Sequence, residues 1–101
     1  MQRITLYARY VIVSFRCAEA EKIFAEKHSR KFAAIQRAAF RKLVMLHAAK
    51  ALSDLAGVGN SLEALTGDRE GQYSIRVNLQ YRLCFVWSDG NASNVEIVDY
   101  H

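Results

Sequence analysis

Apolar residues at Phe32, Ile35, Ala39, Leu43 and Leu46 recur at spacings of three and four, the period of a helix face turned toward a core. The cations Arg30, Lys31, Arg37, Arg41 and Lys42 fall mostly on other faces. From Cys17 to about Leu52 the chain is rich in Ala, Glu, Lys, Arg and Leu and free of Gly and Pro, so it reads as helical. The pattern breaks near His28, Ser29 and Arg30, which predicts a turn and an antiparallel helix pair, with Ser14 capping a first helix of about ten residues. Ser53 and Asp54 predict another helical turn before Gly57, Gly59 and Asn60 open a loop.

Beyond that loop the period changes to two. Tyr73, Ile75 and Val77 alternate with Ser74 and Arg76, and Tyr81, Leu83, Phe85 and Trp87 alternate with Arg82, Cys84 and Val86, which predicts strands. Asn78, Leu79 and Gln80 make a tight connection between them. Asp89 and Gly90 then give a strong hairpin signal leading into a strand over Val95 to Asp99. With a short strand near Tyr10 to Ser14 on an edge, the pattern predicts an α+β domain: two antiparallel helices on one face of a small, curved, mainly antiparallel sheet.

The 101 residues, about half of them hydrophobic, suffice for one compact domain over 1–101 and not for two independent cores. Arg or Lys interrupts every apolar run well short of the roughly 20 residues that a bilayer span needs. Residues 1–15 lack the small-residue cleavage site of an export signal, so the expected location is cytoplasmic and no membrane partner is expected. Cys17 and Cys84 are too few for a disulfide framework or a four-ligand zinc site. The net charge of +4 suits a polyanionic partner without demanding one.

Three strings carry a family resemblance. LEALTGDREGQYSIRVNLQYRLCF (Leu62 to Phe85), VEIVDYH (Val95 to His101) and VIVSFRCAEAEKIF (Val11 to Phe24) occur in an order and spacing that resembles the HigB toxins of the RelE/ParE superfamily. The resemblance implies a RelE-like fold and a ribosome-dependent endonuclease that cuts messenger RNA, without metal or cofactor. Family members begin at the position of Val11, so residues 1–10 are expected to be an N-terminal extension. If Val11 is the encoded start, protein made from the native locus will have a mass lacking those ten residues.

Cutting RNA through its own 2′-hydroxyl needs a group to take that proton, a cation for the crowded phosphate and an acid for the leaving 5′-oxygen. The resemblance points to His101, whose imidazole titrates near neutral pH; for an isolated chain, a solvated terminal histidine is the ordinary alternative. Asp99, two residues earlier, is expected on the His101 face as its orienter or as a base, or is simply an exposed strand-end acid. Tyr100 is expected opposite them, where it packs, or stacks on an RNA base if the terminus bends. Arg82, on the central strand, is the expected phosphate clamp, shared with the His101 face, against the alternative of a salt bridge to Asp99 or Glu96. Arg69 and Arg76 read as phosphate-positioning groups, and Arg37 and Arg41 as contacts to ribosomal RNA, or all four as ordinary solvated arginines. Where relatives carry a histidine and a lysine, this chain has Glu63 and Thr66. Glu63 can still act as a base, while Thr66 removes a phosphate contact. His28 and His47 read as surface or packing residues.

The resemblance further implies a HigA-type helix-turn-helix antitoxin as partner, operator DNA reached only through that antitoxin, and the ribosome and mRNA as targets. A ParE-like gyrase inhibitor and a non-catalytic binding module of the same fold are the competing readings. The cluster Asp99, Tyr100, His101 argues against the first.

Overall fold

The computed structural model describes residues 11–57 and 59–100. The proposed extension 1–10, and His101 with it, lie outside the described residues. Two helices, α1 (Ala18–Phe24) and α2 (Gln36–Ala48), precede four strands, β1 (Glu63–Ala64), β2 (Gln72–Arg76), β3 (Tyr81–Ser88) and β4 (Asn91–Asp99). The strands form one antiparallel sheet in the order β1-β2-β3-β4. No helix among the described residues is long and apolar enough to cross a membrane.

The apolar stripe does what its spacing predicts. Ala39, Leu43 and Leu46 of α2 are fully buried, with Ala20 and Ile23 of α1, against Ile75, Leu83, Phe85, Val95 and Ile97 of the sheet. Strand alternation therefore commits one sheet face to the helices. The other face carries Ser74, Arg76, Arg82, Cys84, Glu96 and Val98, as the register pairs Ser74↔Cys84, Arg76↔Arg82, Arg82↔Val98 and Cys84↔Glu96 require.

Both hairpins form where the turn residues place them. Asn78 Oδ1 accepts from the backbone N–H groups of Gln80 (2.8 Å) and Tyr81 (2.7 Å), the local side-chain turn that favours Asn here. Asp89 and Gly90 both have positive φ, 52° and 77°, the mirror-image turn that matches strand twist. β4 then starts at Asn91, four residues before the apolar run suggests.

Three expectations are corrected. Ser14 does not cap α1: Cys17 does, its Sγ accepting from Ala20 N at 3.4 Å, and α1 has 7 residues. Ser14 Oγ instead accepts from Asn94 N at 2.9 Å. The segment expected as an edge strand near Tyr10 to Ser14 does lie along the free edge of β4, but its described residues do so through isolated parallel bridges, Ile12 to Ala92 and Phe15 to Val95, with Tyr10 outside the described residues. β1 escapes the sequence pattern because two residues are too short for a period to register.

The link between the helices is knitted by Ser29, which is fully buried. Its Oγ donates to Glu19 Oε1 (2.7 Å) and accepts from Phe32 N (3.1 Å); its N–H donates to Gln36 Oε1 (2.9 Å). The Ser29 bond, aided by Lys22, holds the Glu19 carboxyl below its ordinary value of 4.5. A depressed carboxylate contributes stability above that value and loses it as pH falls through the folded pKa. Losing the two bonds of its buried hydroxyl, Ser29→Ala is expected to cost about 1–2 kcal/mol in urea denaturation at pH 7. It should also flatten the loss of stability below pH 4.5, an effect absent if Glu19 and Ser29 are uncoupled.

Candidate functional site around Arg82

The helix-free face of the sheet is built around one guanidinium. Arg82 is 6% exposed, in the second register pair from the start of β3. Its Nε donates to Ser74 Oγ at 2.8 Å. Its Nη2 donates to the Ser61 carbonyl and, at 3.5 Å, to the Ser74 carbonyl. Ser74 is itself fully buried. It stands two positions from Arg76, the direct cross-strand partner of Arg82, so the hydroxyl and the guanidinium meet on the diagonal.

Tyr100 covers this group from the far side, its ring centroid 5.4 Å from the Arg82 Cζ, within cation–π range. Tyr100 N donates to Gln80 O at 2.7 Å, so the ladder holds the backbone while the ring stays 43% exposed. Among the described residues no carboxylate pairs with Arg82. Glu96, one of the two acids expected as its partner, binds Arg69 instead at 2.9 Å. A guanidinium withdrawn from water with only neutral acceptors is costly. It is also already oriented for an incoming anion.

Arg69, at the end of the 3₁₀ turn Gly67–Arg69, swings across the same face to Glu96 and to Gln72 Oε1 (3.0 Å). The Glu96 carboxylate holds its guanidinium above the ordinary value. Beneath these cations lies the Cys84 thiol, fully buried and pushed up, above all by burial. Glu63 is exposed and its register partner is Ser74, which puts it on this face. Arg76 is half-buried there and has no ion pair among the described residues.

The structure thus brings Glu63, Arg69, Arg76, Arg82 and Tyr100 to one face. It does not bring Asp99, Arg37 or Arg41 there. Asp99 pairs with Tyr81 and lies on the helix-bearing face, bound by Gln80 Nε2 at 3.1 Å. The expectation that Asp99 shares the Arg82 face is therefore corrected, because Val98 and Tyr100, not Asp99, alternate with Glu96. Arg37 and Arg41 lie on the exposed side of α2, whose buried side packs on the opposite sheet face. His47 packs edge-on against Phe24 and its Nδ1 accepts from Ile12 N at 3.2 Å, and burial lowers its pKa.

Residues missed by sequence reasoning are Ser74 and Ser61. Ser74 was within reach, since the hairpin at Asn78 fixes the register that sets it diagonally to Arg82. Ser61 acts through a backbone carbonyl and leaves no trace in composition.

Residues 13–101 match the family described as HigB-like toxin, a RelE-like toxin of type II toxin-antitoxin system HigB. The chain is 50% identical over 70 residues to Toxin HigB-1 of Vibrio cholerae serotype O1, an alignment spanning 68% of this chain and 74% of that protein. Its fold is similar to the YoeB-YefM complex from Staphylococcus aureus, with TM-score 0.60, 24% identity and coverage of 93% of this chain and 99% of that one. The YoeB dimer from Staphylococcus aureus gives TM-score 0.52 and 20% identity, again over 93% and 99%.

The sealed thiol gives a check on this geometry. Cys17 is partly exposed and Cys84 is buried, so at pH 8 a maleimide reagent is expected to label Cys17 alone in the native chain and both cysteines in guanidinium chloride. Rapid native labelling of Cys84 would mean that the cationic cover is open.

Proposed function

We infer that this chain, which belongs to the HigB-like family of RelE-like toxins of type II toxin-antitoxin systems, is an endoribonuclease that cuts messenger RNA on the ribosome. The observation that carries the reading is Arg82: a buried guanidinium, locked by Ser74 and Ser61, with no carboxylate partner among the described residues, beneath an exposed aromatic ring. That arrangement suits a phosphate whose charge rises in the transition state and a base that stacks on Tyr100.

In the proposed reaction the ribose 2′-oxygen attacks the adjacent phosphorus and the 5′-oxygen leaves. One fragment ends in a 2′,3′-cyclic phosphate and the other in a 5′-hydroxyl. Glu63, exposed on the Arg82 face, takes the 2′-hydroxyl proton. His101, one residue beyond Tyr100, gives a proton to the departing oxygen. Arg82 stabilises the equatorial phosphate oxygens. Arg76 and Arg69 position neighbouring phosphates, the latter by exchanging Glu96 for RNA. Asp99, on the far face, stays out of the reacting set. Arg37 and Arg41 contact ribosomal RNA from the exposed side of α2. A HigA-type antitoxin is the proposed partner that silences the chain and carries it to operator DNA.

Purified chain added to ribosomes translating a defined message, followed by primer extension and end-group analysis, tests this. Discrete cuts within the translated frame and cyclic-phosphate ends are expected. Arg82→Ala should lower the single-turnover rate by about 10²–10³-fold. Arg82→Lys should recover little of it, because an ammonium cannot hold both the Ser74 and Ser61 bonds and the phosphate. Cutting at the native rate by Arg82→Ala, or DNA damage signalling without RNA cuts on expression, would reject the nuclease.

A further inference from the structure

We propose that Asn60 is a positioning residue for the Arg82 guanidinium, acting through the backbone of Ser61; the inference rests on the nuclease reading above. Ser61 has φ 47°, a left-handed conformation that costs a serine about 1–2 kcal/mol and persists only where neighbours over-determine it. In that conformation its carbonyl accepts from Arg82 Nη2. The residue that over-determines it is Asn60.

Asn60 is 2% exposed, and it ties together three parts of the fold. Its side-chain amide donates to the Leu55 carbonyl at the end of the 3₁₀ turn Leu52–Leu55 (3.1 Å) and to Met45 Sδ of α2 (3.1 Å). Its Oδ1 accepts from Lys42 Nζ of α2 at 2.6 Å. Its own N–H donates to Gly57 O (3.2 Å), and its carbonyl accepts from Arg76 N of β2 at 2.6 Å. The peptide that follows Asn60 is thus fixed to the helix layer and to the sheet together. Ser61 is the next residue, and Arg76, which grips the Asn60 carbonyl, is the cross-strand partner of Arg82.

The linkage runs from Lys42 on the helix layer, through Asn60 and the Ser61 carbonyl, to the guanidinium on the opposite sheet face. An asparagine that merely anchored a loop would leave Arg82 in place when lost. A positioning asparagine moves the guanidinium and so the reaction rate, without changing how the RNA is gripped.

The test uses full-length Asn60→Ala, Lys42→Met and Ser61→Gly chains, with two readouts. In ribosome-dependent cleavage, Asn60→Ala and Lys42→Met are expected to lower kcat by about tenfold, as a misplacement of a fraction of an ångström does, with KM held within about twofold. Ser61→Gly, which tolerates the positive φ but loosens it, is expected to fall between them and the native chain. In ¹H–¹⁵N spectra the Arg82 ε N–H, bonded to Ser74 in the native chain, should shift and exchange faster with water in Asn60→Ala and Lys42→Met. Native kcat together with an unmoved Arg82 resonance in folded Asn60→Ala overturns the inference. If Asn60→Ala does not fold, the same result in Lys42→Met overturns it, since that change keeps the aliphatic stem and removes the ammonium that binds Asn60. The two readings part cleanly: native cleavage by Arg82→Ala rejects the nuclease, while the Arg82 resonance still decides the positioning role.

Discussion

A guanidinium held at 6% exposure without a carboxylate partner among the described residues constrains everything placed around it. Desolvating a full charge is unfavourable unless fixed dipoles replace the lost water. Here those dipoles are the Ser74 hydroxyl and carbonyl and the Ser61 carbonyl, with the π face of Tyr100 on the remaining side. Each comes from a different part of the chain: β2, the loop before β1, and the residue after β4. The sheet order β1-β2-β3-β4 is what lets all three converge on β3. A paired arginine would be more stable and less available to a phosphate.

The neighbouring cations show the contrast. Arg69 has its carboxylate in Glu96, so its charge is already answered and its turn is pinned to β4. Arg37 and Arg41 are exposed on a helix whose other side is committed to the core, where water and salt screen them. Cationic residues at three levels of solvation thus have three different uses for an anion. Arg82 alone among them combines burial, fixed orientation and an unanswered charge.

The elements that sequence made legible are those with a period long enough to count. The stripe from Phe32 to Leu46 and the alternations from Tyr73 to Trp87 specify which side chains enter the core, and the Asn78 and Asp89-Gly90 turns specify how the strands fold back. The α+β architecture follows from those alone, and its RelE-like character from the resemblance of the three strings. What sequence hid has a common physical character. β1 is two residues long. The Cys17 cap was hidden because a thiol is a poor acceptor and is seldom counted as a cap. The Ser61 contribution is a carbonyl, which every residue has. The expectation that Asp99 lies on the Arg82 face followed His101, whereas the alternation of β4 puts Asp99 with Val95 and Ile97 on the core side.

That alternation is interrupted at Asn94, and the interruption decides which face the chain end serves. Between the pairs Cys84↔Glu96 and Val86↔Ser93, β4 spends one residue more than β3. The extra residue is Asn94, with φ 53°, a conformation that asparagine adopts more readily than most residues. The buried positions of β4 accordingly run Ala92, Val95, Ile97, a step of three and then of two. Without the bulge every residue after it would turn over. Val95 and Ile97 would leave the core, Glu96 would lose Arg69, and Asp99 rather than Tyr100 would lie over Arg82. Ser14 supports the bulge directly by accepting from Asn94 N, while Phe15 bridges to Val95 just past it. Ser14, which sequence assigned to a helix cap, therefore acts on the sheet. By holding one extra residue in β4, it helps put an aromatic ring, and not a carboxylate, on the exposed side of the guanidinium.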